Sequence, residues 1–164
     1  MAHLAATPAW RDARHIALYL ASDGEIDCRA IAERAWSEER AVYLPRIVGR
    51  TLEFARWEAG AALRRNHFDI GEPAGPAVLA ADLDLITLPL VAFDAAGNRL
   101  GMGGGYYDRT LAESPGPLRL GLAYQCQQVP AVPGDPWDMA LDAIASEETL
   151  IPCSTRWPQD RHDD

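Results

Sequence analysis

The sequence contains no lysine, so all fifteen of its basic residues are arginines. That absence excludes a Walker-type phosphate lysine, a lysine Schiff base and a lysine general base. Cysteine is also scarce: three cysteines without a C-x-x-C pair exclude a cysteine zinc site and a disulfide framework. No apolar run approaches the ~20 residues of a membrane helix, and the first residues do not read as a signal peptide. These absences predict a reduced, cytoplasmic protein with no membrane partner.

What is present is typical of a globular domain: 164 residues, 48% of them hydrophobic and 24% charged. The formal net charge of −9 disfavours nucleic acid as a partner. An anionic ligand must therefore be bound by arginine, by backbone N–H groups or by a metal ion. We predict one α/β domain over residues 1–155 and a frayed polar tail over 156–164.

Strand-like and helix-like segments alternate along the chain. This order predicts a mostly parallel central sheet flanked by helices on both faces, a Rossmann-like three-layer fold. Helices are predicted within 8–20 (running into a strand), 27–39, 59–66, 105–113 and 139–145. Strands are predicted at 42–44 (stopped by Pro45), 51–57, 84–93 and 118–124, a loop at 71–76 and a turn at 94–98.

Residues 84–93 form the most apolar run and are expected to be a central strand that is buried on both faces. Pro89 lies inside this run. Because proline has no N–H to donate, strand pairing is expected to end or bulge there.

The segment from Arg99 to Arg109 carries the clearest chemical signal. Its glycines leave backbone N–H groups unshielded, and a helix is predicted directly after them, so the loop can form a nest for phosphate oxygens. The two arginines can add charge-assisted bonds to the same anion, and Asp108 offers a carboxylate suited to Mg²⁺. The alternative is a tight turn whose glycines only permit close packing.

Other phosphate-binding motifs do not fit this segment. A G-x-G-x-x-G motif fails because Tyr106 occupies the sixth place counted from Gly101. A P-loop fails because it requires a lysine. The segment is therefore neither a dinucleotide fingerprint nor a Walker motif.

The runs DLITLPLVAFD at 84–94 and GNRLGMGGGYYDR at 97–109 resemble the signature of the 5-formyltetrahydrofolate cyclo-ligase family, also called methenyltetrahydrofolate synthetases. Weaker matches lie at 20–25, 44–46, 66–73 and 137–142. In the order of the family, the resemblance extends from about residue 16 to residue 149.

The resemblance implies a set of site residues. ATP binding would fall on Arg99, Leu100, Gly101, Met102, Gly103, Gly104, Gly105, Tyr106 and Tyr107. Folate binding would fall on Leu20, Glu25, Phe54, Trp57, Met102 and Tyr106. Catalytic groups would be Arg99, Tyr106 and Arg109, and the metal ligands Asp108 and Asp138, with Asp142 as a nearby alternative.

The implied reaction is the ATP- and Mg²⁺-dependent cyclisation of 5-formyltetrahydrofolate to 5,10-methenyltetrahydrofolate, with ATP as co-substrate. The alternative is a relative that binds folate or nucleotide without turning it over. Members of the family usually begin with a helix whose lysine and arginines reach the nucleotide phosphates. Three interpretations follow for this chain: its start has been lost or misassigned, or Arg11 and Arg14, on one face of the first predicted helix, act as substitutes, or it is not a competent cyclo-ligase.

Overall fold

The computed structural model describes residues 1–22, 24–113 and 116–160. Within those ranges no helix has the length and apolar character needed to cross a membrane. The helices are α1 (Ala2–Ala5), α2 (Pro8–Asp12), α3 (Arg29–Ser37) and α4 (Tyr106–Glu113). The strands are β1 (His15–Ala17), β2 (Ala41–Val48), β3 (Thr51–Arg56), β4 (Leu63–Arg65), β5 (Gly71–Pro73), β6 (Ala77–Val78), β7 (Leu85–Leu88), β8 (Ala92–Phe93), β9 (Arg99–Leu100), β10 (Leu118–Leu122), β11 (Ala143–Ala145) and β12 (Leu150–Pro152).

The main sheet has the strand order β12-β11-β10-β7-β1-β2-β3-β6. Its central strands, from β11 to β2, pair in parallel. The edge strands β12, β3 and β6 pair antiparallel. The prediction of a mostly parallel sheet is confirmed.

Helices cover both faces of this sheet. One buried cluster contains Leu4, Trp10 and Ile31 from α1, α2 and α3. The cluster on the other face contains Leu111 from α4. The three-layer arrangement predicted from the alternating segments is therefore confirmed.

The apolar run at 84–93 forms the central strand β7, which pairs with β1 and β10. All four residues of β7 are buried, as expected for a strand covered on both faces. Pairing ends at Leu88, directly before Pro89, and the chain then enters the β8–β9 hairpin. The predicted effect of Pro89 is confirmed.

Strand β2 continues through Pro45, although the sequence predicted that it would stop there. The carbonyl of Tyr43 accepts the N–H of Leu18, so the backbone of Tyr43 faces β1, and that of Pro45 faces the same side. Because β1 ends at Ala17, no ladder bond is needed at Pro45 on that side. The proline is therefore tolerated and β2 extends past the carboxyl end of β1.

The predicted helix at 59–66 and loop at 71–76 are corrected by the structure. Gly60 has a φ of +75° and lies in a turn that begins at Glu58, so the chain does not continue as a helix. Residues Leu63–Arg65 and Gly71–Pro73 instead pair as the hairpin β4–β5. The predicted helical turn at 139–145 is also wrong, because β11 forms there between β10 and β12.

The described part of the tail, residues 156–160, is not frayed. Trp157 is only 3% exposed and belongs to the core cluster that contains α1–α3. Arg156 donates to the carbonyls of Gly116 and Pro117 at 3.0 Å. These contacts anchor the segment, whereas residues 161–164 of the predicted tail lie outside the described ranges.

Candidate active site at the carboxyl edge of the sheet

The sheet changes winding direction between β1 and β7. Strand β1 leads through α3 to β2 on one side, and β7 leads through α4 to β10 on the other. In open α/β sheets, ligands bind in the crevice outside the carboxyl ends of two such strands. We call the space outside the carboxyl ends of β1 and β7 the crevice.

The glycine loop, residues 101–105, connects β9 to α4 at the crevice. Gly103 and Gly105 have φ values of +93° and +69°, which glycine adopts without steric cost. Met102 to Gly104 are exposed. A helix leaves its first N–H groups without intrahelical acceptors, so the loop and the start of α4 offer backbone donors to an anion.

Arg99 and Asp108, at the two ends of the loop, bind each other. Nη2 of Arg99 lies 3.3 Å from Oδ1 of Asp108, and the two side chains are 8% and 23% exposed. The same carboxylate oxygen accepts the N–H of Met139 at 3.1 Å. The pair orients the carboxylate and joins the loop to the segment that leads into β11.

A cleft of about 380 Å³ lies beside this pair, and Arg99, Asp138 and Met139 line it. Because Met139 donates to Asp108, the backbone next to Asp138 lies against Asp108, and the two sequence-predicted metal ligands belong to neighbouring segments. Oδ2 of Asp138 accepts the N–H of Asp135 at 2.8 Å. Across the described ranges there is no cluster of three or more His, Cys, Asp or Glu side chains placed to hold an ion. Two carboxylates nevertheless fit Mg²⁺, which proteins commonly hold with one or two carboxylates plus substrate phosphates.

Arg109, which was predicted to bind the phosphates, donates its hydrogen bonds to backbone carbonyls of the protein. Its Nε donates to the carbonyl of Arg50 at 2.7 Å, and its Nη2 to that of Gly104 at 2.9 Å. Its guanidinium carbon lies 5.0 Å from the centre of the Tyr106 ring. In this structure Arg109 therefore shapes the loop and the Tyr106 ring.

Two phenols lie deeper at the same edge, and sequence reasoning missed one of them. Burial raises the pKa of Tyr107, although the nearby charge of Arg99 opposes the shift. Burial, with the Cys28 thiol and Glu25 nearby, also raises the pKa of Tyr19. Both phenols therefore stay protonated at neutral pH. Tyr19 directly precedes the predicted folate residue Leu20, and its apolar neighbours in sequence gave no sign of a role.

A family model described as 5-formyltetrahydrofolate cyclo-ligase family matches residues 1–147. The chain belongs to this family. It is 43% identical to the 5-formyltetrahydrofolate cyclo-ligase of Haemophilus influenzae over 139 residues, which cover 80% of this chain and 74% of that protein. It is 36% identical to the Escherichia coli K12 protein of the same name over 142 residues, 82% of this chain and 78% of that one. The NMR structure of Aquifex aeolicus 5,10-methenyltetrahydrofolate synthetase superposes with a TM-score of 0.83 at 32% identity, covering 99% of this chain and 83% of that one.

The folate residues implied by membership of the cyclo-ligase family include Leu20 and Glu25, and both lie in the segment that follows β1. Oε2 of Glu25 accepts the N–H of Ser22 at 3.0 Å, which shapes the turn between them. Leu20 is partly buried, and a Cβ at Gly71 would lie 3.3 Å from its Cδ1, so β5 of the β4–β5 hairpin is close to it. This segment and the glycine loop both reach the crevice.

Phe54 and Trp57 face opposite sides of the sheet. Phe54 is fully buried in the cluster that contains α4. Trp57 packs against the other cluster and lies edge-on to Trp36, with ring centres 4.8 Å apart. The N–H of Trp57 donates to the carbonyl of Val42, which is level with the start of β7, so Trp57 lies towards the amino edge of the sheet and not at the crevice. The structure therefore brings neither predicted aromatic to the crevice.

The hairpin β4–β5 is a part of the site that the sequence did not predict, because 59–66 was expected to be helical. Phe68, near its tip, is 53% exposed, and its ring centre lies 6.2 Å from that of Tyr106 in an edge-on arrangement. The hairpin therefore reaches from Leu20 to the start of α4. The match at 66–73 to the cyclo-ligase family signature was the available signal.

Asp142, the alternative metal ligand, is buried and already bonded. Its carboxylate accepts the N–H of Arg119 at 2.9 Å and the hydroxyl of Ser154 at 2.6 Å, and Nη1 of Arg156 lies 3.3 Å away. It precedes β11, at the amino edge of the sheet. Asp142 thus stabilises the β10–β11–β12 region, whereas Asp138 directly precedes Met139, whose N–H binds Asp108.

The expectation that Arg11 and Arg14 reach the nucleotide phosphates is wrong. Arg14 precedes β1, and its N–H donates to Asp84, which precedes β7. Both residues therefore lie at the amino edge, whereas the glycine loop lies at the carboxyl edge. Arg11 forms an ion pair of 2.7 Å with Asp160. The sequence placed these arginines near the start of the fold but could not show which edge they face.

Proposed function

We propose that this chain converts 5-formyltetrahydrofolate and ATP into 5,10-methenyltetrahydrofolate, ADP and phosphate. The formamide oxygen is a poor leaving group. Transfer of the γ-phosphoryl group to that oxygen makes it a phosphate ester; N10 of the same substrate then attacks the formyl carbon, loses its proton, and phosphate departs. The enzyme needs no covalent nucleophile for these steps.

The protein's part in this reaction is positioning and charge stabilisation. The glycine loop and the first turn of α4 would bind the phosphates through backbone N–H groups, within the segment from Arg99 to Tyr107. Arg99 lies beside this loop and would balance the charge of the transferring group. Tyr106 and Arg109 would hold the loop in shape.

Mg²⁺ would be held by Asp108 and Asp138 together with the phosphates, and it would supply neutralisation of phosphate charge. Arg99 has a second task here, since its bond to Oδ1 of Asp108 fixes the direction of the carboxylate. Hydrogen bonds from neighbouring groups commonly orient the side chains that bind a metal ion.

Folate would occupy the side of the crevice formed by the segment after β1. Glu25 would accept hydrogen bonds from pterin N–H groups, and Leu20, Met102 and the ring of Tyr106 would offer apolar surface. The cytoplasmic location expected from the sequence stays a prediction.

The observation that carries the proposal is the meeting of two segments at one winding reversal: the glycine loop with the Arg99–Asp108 pair, and the segment of Leu20 and Glu25. The test is to incubate the protein with 5-formyltetrahydrofolate, ATP and Mg²⁺ while recording methenyl product absorbance and ADP. Equal amounts of product and ADP are expected. Binding of both substrates without product would favour the alternative of a non-catalytic relative.

A further inference from the structure

The guanidinium of Arg109 is directed at backbone carbonyls on two different elements. Its Nε binds the carbonyl of Arg50, in the turn between β2 and β3, at 2.7 Å. Its Nη2 binds the carbonyl of Gly104, in the glycine loop, at 2.9 Å. A planar fork with donors on both sides can join two carbonyls in this way, whereas an ammonium group of lysine is a single point. Arg109 is therefore a clamp between the β2–β3 turn and the loop.

The clamp touches the loop at one defined place. A Cβ at Gly105 would lie 2.6 Å from Nη1 of Arg109, so the guanidinium packs directly against the loop backbone there. At Gly103, also at positive φ, a Cβ would meet nothing within 4 Å. The shape of the loop near Gly105 therefore depends on the position of Arg109.

The β2–β3 arm, residues 46–53, is bound to α4 a second time by the next residue along the helix. The N–H of Leu52 donates to Oγ1 of Thr110 at 2.9 Å in a buried position. The consecutive residues Arg109 and Thr110 thus hold the arm, and the arm cannot shift without moving the start of α4 or losing these bonds.

The same arm is bound to the β4–β5 hairpin on the folate side. Nη1 of Arg46 donates to the carbonyls of Pro73 and Gly75 at 3.0 and 3.1 Å. The N–H of Ile47 donates to Oε2 of Glu72 at 2.7 Å. Phe68 of this hairpin packs against the Tyr106 ring at the start of α4. The hairpin, the arm and α4 therefore contact one another in a closed circuit, which links the folate side to the glycine loop.

From this circuit we propose that Arg109 is a positioning residue through which folate and ATP raise each other's affinity. The inference rests on the proposed function. A folate held against the hairpin fixes the hairpin and the arm, and the Arg109 fork then fixes the Gly104 carbonyl and the neighbouring N–H groups that receive the phosphates. Coupling of this kind is reciprocal, so ATP must raise folate affinity by the same factor.

The test is a binding measurement by calorimetry on the full chain with Mg²⁺ and the β,γ-imido analogue of ATP, which cannot transfer its terminal phosphoryl group. The dissociation constant is measured with and without saturating 5-formyltetrahydrofolate. We expect folate to tighten binding by at least ~5-fold in the natural sequence, the lower end of common coupling factors. Arg109→Lys, which keeps the charge but not the fork, is expected to reduce that factor below about 2-fold.

Two further variants make the measurement specific. Arg50→Ala removes a side chain but leaves the carbonyl that Arg109 uses, and the coupling factor should stay at the natural value. Thr110→Val breaks the second bond between the arm and α4, and it should lower the factor even if Arg109→Lys fails to fold.

Each outcome bears on one claim. If both ligands bind the natural protein without affecting each other, or if Arg109→Lys and Thr110→Val keep the natural factor, the coupling role is wrong and the proposed function stands. If Arg109→Lys loses analogue binding equally with and without folate, Arg109 contacts the phosphates directly, and the coupling role is again wrong. If neither ligand binds the natural protein, the proposed function itself fails.

Discussion

Asp108 accepts the guanidinium of Arg99 at 3.3 Å and the backbone N–H of Met139 at 3.1 Å through the same oxygen, Oδ1. One carboxylate thus joins the glycine loop to the segment that carries Asp138. Because the bonds concentrate on one oxygen, the direction of the carboxylate is set before any ligand arrives. A fixed carboxylate of this kind is more typical of a preorganised metal ligand than of an acidic residue on the surface.

Asp108→Asn should weaken Mg²⁺–ATP binding while leaving folate binding nearly unchanged. The amide keeps the volume and one acceptor oxygen but loses the charge that a divalent cation needs. A loss of at least about 10–100-fold in Mg²⁺–ATP affinity is expected, because removing even an outer partner of a metal ligand commonly costs that much. Calorimetric titration with each ligand separates the two effects, and equal losses for both ligands would indicate a structural role.

Asp138→Asn and Asp142→Asn should behave in opposite ways. Asp142 is buried among Arg119, Ser154 and Arg156, so its change should destabilise the fold by on the order of 3 kcal/mol, or roughly 6–12 °C in Tm. Asp138→Asn should leave Tm nearly unchanged and raise the Mg²⁺ concentration for half-maximal activity by about 10-fold. Thermal unfolding and a Mg²⁺ titration test the pair. A large Tm loss in Asp138→Asn would remove it from the metal site.

Glu25→Gln should weaken folate binding and leave ATP binding intact. Its carboxylate already accepts the N–H of Ser22, and its charge makes it a strong acceptor for pterin N–H groups. Loss of such a bond costs on the order of 1.5–3 kcal/mol, which predicts about 10- to 150-fold weaker folate binding. Fluorescence or calorimetric titration is sufficient, with Glu33→Gln on the exposed face of α3 as the control. Unchanged folate affinity would make Glu25 a surface acid.

Glu38 should make stability depend on acid pH. Hydrogen bonds from Arg34, with Arg40 and Trp10 adding to them against burial, lower the pKa of Glu38 to about 2. A carboxyl group whose pKa is lower in the folded state contributes stability above its unfolded pKa of about 4.3, and that contribution is lost as pH falls towards 2. Glu38→Gln should therefore cost about 1 kcal/mol at pH 7, since solvent screens the partly exposed pair, and less below pH 3. Urea unfolding at pH 7, 4 and 3 measures this, and a pH-independent cost would contradict it.

The sequence predicted the parts of the site whose signal is local. The glycine run and the helix after it lie within residues 99–113, and α4 begins at Tyr106, one position after the predicted start. By contrast, β4, β5 and β11 have three residues each, which is too short for the alternation of apolar and polar residues to show. These strands form because neighbouring strands supply hydrogen-bond partners.

The remaining differences concern which parts of the chain meet in space. Arg11 and Arg14 match the expected charge but lie at the opposite edge of the sheet, and Asp142 differs from Asp138 only through partners that are distant in sequence. Arg109 lies in the predicted segment, yet its bond to the Arg50 carbonyl depends on how far β2 and β3 extend beyond β1. Such relationships follow from topology, which the local pattern does not contain.

In the proposed reaction, the γ-phosphoryl group of ATP is transferred within the crevice to the formyl oxygen of folate. The most direct test is turnover of 5-formyltetrahydrofolate labelled with ¹⁸O in the formyl group, followed by mass spectrometry of the released phosphate. Each phosphate formed with methenyl product should carry the label, because the formyl oxygen leaves bonded to phosphorus. Unlabelled phosphate released together with the methenyl product would contradict it.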